Sequence, residues 1–138
     1  MKKVAVLLVS LLAFNTINAQ KDLQFGILAT PKNYVGFAID TELQSGFIHG
    51  IQFGIQKKED NIYRDSNNVS AAIRFGRSFN RFSLIGAMGI EFTDSTNPKV
   101  SIVAPHISIA AKFKVVDIVS ISLGGGTKGF EAGLFFGL

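Results

Sequence analysis

The 138-residue sequence has no cysteine, which excludes disulfides, thiolate metal sites, cysteine nucleophiles and a lipid-bearing cysteine behind a leader. After the first two dozen residues it also lacks any apolar run approaching the ~20 residues a transmembrane helix needs. Charge is scarce, and without Lys2 and Lys3 twelve basic side chains stand against ten acidic ones. That balance gives no support to nucleic-acid binding. No serine-nucleophile motif, metal-ligand cluster or phosphate loop is present, and Gly124-Gly125-Gly126 lacks a strand-to-helix setting, so it reads as a flexible connection. His49 and His106 are the only histidines. The strand pattern sends them to opposite faces, so they share neither a metal nor a catalytic task. No catalytic residue, metal or cofactor is expected, and an enzyme is disfavoured.

What is present begins with an export signal. Basic Lys2-Lys3, an apolar run from Val4 to Phe14 and a polar end at Asn15 to Ala19 have the three-part layout of a cleaved signal peptide. The eleven-residue apolar run is too short for a membrane anchor. Residues 1–19 are therefore assigned to the signal, with cleavage after Ala19, and residues 20–138 to a single domain.

The rest of the chain is organised by alternation, the period that sends successive side chains to opposite faces of a strand. Eight strands are expected at 22–30, 34–42, 46–57, 68–79, 82–93, 100–114, 118–124 and 130–138. The third is the cleanest: Phe47, Ile51, Phe53 and Ile55 oppose Gly50, Gln52, Gly54 and Gln56. In the fourth, Val69, Ala71, Ile73, Phe75 and Phe79 share a face. A two-residue turn at Asn80-Arg81 then pairs Phe79 with Phe82, Phe75 with Gly86 and Ile73 with Met88, bringing both apolar sets to one side. Short connections at 43–45, 80–81 and 115–117 contrast with longer ones at 58–67 and 94–99, the pattern of a membrane barrel with turns at one end and loops at the other. The loops at 58–67, 94–99 and 125–129 are the expected exposed parts. Pro105 cannot donate to a ladder, and a closed barrel offers no edge strand, so a bulge or a strand beginning after it is expected.

Eight alternating strands fit a soluble barrel with its apolar face inward or a membrane barrel with that face outward. The second face decides. A water-facing surface carries roughly 25–35% charged residues, whereas this face is mostly Gly, Ala, Ser and Gln, and on the two faces together few charges sit in strand bodies: Asp40, Arg74, Arg77, Glu91, Lys112 and Glu131. Small side chains suit the filled interior of an eight-stranded barrel, so the apolar face is assigned to lipid. Leu28, Ile48, Ile85 and Phe135 fall on the lumen parity against the trend. Phe47, Phe79, Phe82, Phe113 and Phe136 lie near the short turns or the C-terminus, as one interfacial girdle, with Tyr34 and Phe92 nearer the opposite rim. Arg77 and His49 have the lipid-facing parity near short turns, where amphipathic side chains reach headgroups. Arg74, Glu91, His106, Lys112 and Glu131 have the lumen parity, together with Gln52 and Gln56. They are the candidate members of a buried polar network, because charges inside must be paired or hydrogen-bonded. Separately solvated side chains are the alternative. Ser70 and Glu91 come opposite each other but lack a suitably placed histidine for catalysis.

The chain ends Glu131-Ala132-Gly133-Leu134-Phe135-Phe136-Gly137-Leu138. This resembles the C-terminal β-signal of bacterial outer-membrane barrels (polar, any, Gly, any, any, apolar, any, apolar), with Glu131, Gly133, Phe136 and Leu138 in the four defined places. Many such signals finish in Phe rather than Leu. Joined to the export signal and eight strands, the ending makes the chain similar to the small eight-stranded outer-membrane β-barrel proteins. The resemblance implies an all-β, antiparallel up-and-down transmembrane barrel in the bacterial outer membrane, inserted by the barrel-assembly machinery and surrounded by outer-membrane lipid. A structural or surface-interaction role follows. The competing expectation is a secreted or periplasmic lipocalin-like barrel binding a small apolar ligand.

Overall fold

The computed structural model describes residues 20–58, 66–93 and 103–138; the expected signal at 1–19 lies outside them. Eight strands run in chain order: β1 (Gln20–Thr30), β2 (Tyr34–Leu43), β3 (Phe47–Lys58), β4 (Ser66–Phe79), β5 (Phe82–Thr93), β6 (Val103–Val116), β7 (Val119–Gly126) and β8 (Gly129–Gly137). Each pairs antiparallel with its neighbours, and β8 closes on β1. Among the described residues there is no helix.

The register fixes the barrel's width. Phe47 on β3 leads through the partners Arg77, Leu84, Ala111, Leu123, Ala132, Ala29 and Val35 to Ile55, also on β3. One circuit thus returns eight residues further along the same strand. Eight strands with a shear of eight tilt by about 36° and leave an interior just wide enough for side chains to fill. Each step from strand to strand accordingly rises one residue along the axis.

This narrow interior explains the small residues on the inner face. The Tyr34 phenol lies against Gly36 and Gly54, and the Phe135 ring lies over Gly26. A Cβ at Gly54 would overlap the Tyr34 ring, so the large inner side chains find room only opposite missing ones. Leu28, Ile48, Ile85 and Phe135 are all buried, and Leu28, Tyr34, Ala38 and Phe135 form an apolar cluster inside the wall. The outer face is the reverse. Phe37 and Ile73 are each 61% exposed, and every strand turns large apolar side chains outward. A soluble lipocalin-like barrel requires the opposite facing.

The expected hairpin register holds, with Phe79 opposite Phe82, Phe75 opposite Gly86 and Ile73 opposite Met88. Two local expectations fail. Gly124, Gly125 and Gly126 belong to β7, and the β7–β8 connection is a tight turn at Thr127-Lys128 followed by Gly129 at φ +85°, so 125–129 is a two-residue turn rather than a loop, with Gly126 and Thr127 exposed and Lys128 buried. The left-handed backbone at Gly129 is what lets so short a turn close. Pro105 also lies inside β6 with no bulge, paired with Ile90 in unbroken register. The reason is unequal strand length. Ile107 directs its N–H and C=O to the β7 side, where they meet Thr127. Pro105, two residues earlier, turns its nitrogen the same way, but β6–β7 pairing begins only at Ser108 and Gly126. The missing donor faces a side with no ladder partner.

Candidate functional site: a filled polar lumen

The inner faces of β1 to β8 bring their polar side chains into a closed space, where an unpaired charge is costly. Asp40 on β2 is the centre of the lower half, the half towards the short turns. Its Oδ1 accepts from Arg74 Nε at 2.7 Å and its Oδ2 from Arg74 Nη2 at 3.2 Å, a two-point clamp of fixed geometry. Lys112 Nζ donates to the same Oδ2 at 3.1 Å and also to Gln24 Oε1. Both cations stand over the Phe135 ring, with Arg74 Cζ at 5.3 Å and Lys112 Nζ at 4.7 Å from its centroid. The ring's negative face complements them.

Gln52 links this centre to the upper half. It accepts from Arg74 Nη1 at 2.7 Å, while its Nε2 donates to Tyr34 Oη at 3.0 Å and approaches Glu131 Oε2 and His106 Nε2, each at 3.5 Å. The His106 ring stacks on Tyr34, and Ser70 Oγ donates to Tyr34 Oη at 3.3 Å. A second cluster lies beneath the longer connections. There Lys128 donates to Gln56 Oε1 at 2.9 Å and pairs with Glu91, Asn68 donates to Glu91, and Gln56 Nε2 donates to the Lys32 carbonyl at 3.0 Å. At the opposite mouth Lys114 pairs with Asp22 at 3.2 Å and Lys21 with Glu42 at 3.0 Å.

Of the seven candidate lumen residues, Arg74, His106, Glu131 and Gln52 thus come together, Lys112 joins them through Asp40, and Glu91 and Gln56 form a separate cluster. All seven are buried. Gln24 and Asn68 went unrecognised in the sequence, as did three members that bear more of the network, Asp40, Tyr34 and Lys128. Asp40 has the right parity and a charge in a strand body, which was sufficient signal. Tyr34, expected nearer the loop-end rim, does open β2 beside the 31–33 turn, but it points inward and is 1% exposed, as its parity with Gly36, Ala38 and Asp40 requires. Lys128 left no periodic signal, because a turn rather than a strand folds it over the mouth. Ser70 and Glu91 are cross-strand partners, yet Ser70 bonds Tyr34 and Glu91 bonds Asn68 and Lys128, so they form no nucleophile–base pair. His49 has the outward facing, stacked on Phe47 with ring centroids 6.2 Å apart. Of the C-terminal motif, Glu131 and Gly133 face inward, whereas Phe136 and Leu138 are exposed.

No three His, Asp or Glu side chains among the described residues converge as metal ligands. Ion pairs and hydrogen bonds thus span the lumen from one wall of the barrel to the other.

No family model and no curated protein matches this sequence. Solved structures do match the fold. One is the Yersinia pestis outer membrane protein Ail, determined in a phospholipid bilayer nanodisc. It aligns with a TM-score of 0.62 at 10% identity, covering 87% of this chain and 99% of Ail. Another comes from the de novo design of transmembrane β-barrels, with a TM-score of 0.54 at 11% identity and coverage of 87% and 99%. The architecture is therefore that of the eight-stranded transmembrane β-barrel, reached here by a sequence with little identity to either neighbour.

Proposed function

We infer that this chain is an integral outer-membrane β-barrel with a structural or surface-interaction role and no catalytic one. The observation that carries the reading is the inversion of the two faces. Large apolar side chains cover the outside of every strand, while Asp40, Arg74, Lys112, Glu91 and Glu131 are buried inside. In water this arrangement would expose far more apolar surface than a soluble monomer tolerates. In a bilayer it is the stable facing, and closure satisfies the backbone groups that lipid cannot.

The turns at 44–46, 80–81 and 117–118 and both described termini lie at one end of the barrel, which becomes the periplasmic end; the two longer connections, β3–β4 and β5–β6, lie outside with the short turns at 31–33 and 127–128. The Glu131, Gly133, Phe136 and Leu138 pattern supports insertion by the barrel-assembly machinery, and the layout of residues 1–19 supports export. The filled lumen argues against an open pore. Membrane fractionation with a heat-modifiability gel tests the reading. The protein is expected to sediment with outer membranes and to migrate differently before and after boiling. Purification as a soluble species without detergent would overturn it.

A further inference from the structure

The outer face is apolar almost throughout, and its exceptions are not scattered. Away from the strand ends, the outward-facing polar side chains among the described residues are Thr41 on β2, His49 on β3 and Arg77 on β4. These are consecutive strands. Thr41 is the direct partner of His49. Arg77 is partner to Phe47, and His49 to Phe75, so His49 and Arg77 are diagonal neighbours, roughly 7–8 Å apart. The three therefore form one polar stripe across the wall.

Its depth is unusual. Phe47 and Phe79 stand one outward position nearer the turns than His49 and Arg77, so the stripe lies on the acyl-chain side of the phenylalanine girdle. An arginine facing lipid needs an anionic partner or a path to the headgroups. Arg77 is exposed and forms no ion pair among the described residues. Its guanidinium presents paired donors matched to phosphate oxygens. Imidazole retains one N–H donor even when neutral, and the threonine hydroxyl supplies another. Phe47, stacked on His49, and Phe75 supply apolar flanks suited to an acyl chain.

We propose that Thr41, His49 and Arg77 form a binding site for the phosphate of an anionic phospholipid in the turn-side leaflet. The inference rests on the membrane reading above. Arg77 provides the charge, His49 and Thr41 complete the donor set, and the lipid's tail lies along the β3–β4 wall.

The test reconstitutes the mature chain into phosphatidylcholine vesicles containing a minor fraction of phosphatidylglycerol. Spin-labelled forms of both lipids then report which one is held at the protein surface. The wild type is expected to favour phosphatidylglycerol about fivefold, the effect of one basic side chain at an anionic surface. Arg77→Gln is expected to remove most of that preference and Arg77→Lys to retain part of it. Unchanged preference in Arg77→Gln overturns the site, as does an equal loss in Arg81→Gln, which would show only general attraction by turn charges. If Arg77→Gln does not fold, the double variant Thr41→Val/His49→Leu carries the test: its preference must fall although the arginine remains, and no fall refutes the site. Protein that does not float with the vesicles refutes membrane insertion itself, whereas protein that inserts without lipid preference refutes the site alone.

Discussion

At the residue scale the lumen concentrates its dependence on Asp40. One carboxylate serves both Arg74 and Lys112, and these cations lie over the same face-providing ring, Phe135. Asp40→Ala would leave two cations side by side without the one carboxylate that both contact. Removing one partner of a buried pair costs about 3–5 kcal/mol. Arg74→Leu is milder, because Asp40 keeps Lys112 and a hydrophobic side chain refills the space. Urea unfolding in detergent, followed by the heat-dependent gel shift, is expected to rank the wild type above Arg74→Leu and Arg74→Leu above Asp40→Ala. An Asp40→Ala barrel as resistant as the wild type would show that the network does not brace the wall. Asp40 also illustrates what the sequence discloses. Its facing was readable from alternation, but the partners that make it central come from β4 and β6, 34 and 72 residues away.

At the scale of elements, periodicity carries most of the fold and unequal strand length carries the rest. A period of two assigns each side chain to a face wherever a strand is long and regular, which is why the β4–β5 register was legible from Phe79 and Phe82. It goes unused where identity is read ahead of parity, as with Tyr34, grouped with the interfacial aromatics although it shares the inward face of Gly36 and Ala38. Lengths are harder, since β6 has 14 residues and β7 only 8, and no local pattern announces where a neighbour stops. Pro105 occupies the resulting overhang, where it also denies an exposed edge one donor. Pro105→Ala is expected to change unfolding stability by no more than about 0.5 kcal/mol. Ile109→Pro, four residues on and facing Gly125 of β7, removes a ladder bond and should cost about 3 kcal/mol or more. Equal effects of the two substitutions would contradict the assigned overhang.

At the scale of the molecule, the same inequality bears on how the barrel sits in lipid. Strands β3 and β4, with 12 and 14 residues, stand opposite β7 and β8, with 8 and 9. On β3 and β4 the outward apolar surface ends at Lys57 and Asn67 towards the loops, and it is interrupted towards the turns by His49 and Arg77. On β8 it runs from Phe130 to Phe136 and ends nearer the turns at both limits. The apolar belt therefore slants across the barrel, and matching it to a flat bilayer makes the β3–β4 wall sit lower, towards the turn-side leaflet. Phe75 leads through Gly86, Ile109 and Gly125 to Phe130. After four strand steps, each a rise of one residue, Leu134 is the β8 residue level with Phe75. The chain has no tryptophan, so Phe75→Trp and Leu134→Trp each introduce a single depth probe. An upright barrel gives the two equal quenching by lipids brominated at different depths. The slanted belt instead places Leu134→Trp about 5 Å nearer the bilayer centre, the axial rise of two tilted strand residues, and centre-brominated lipid is expected to quench it more strongly.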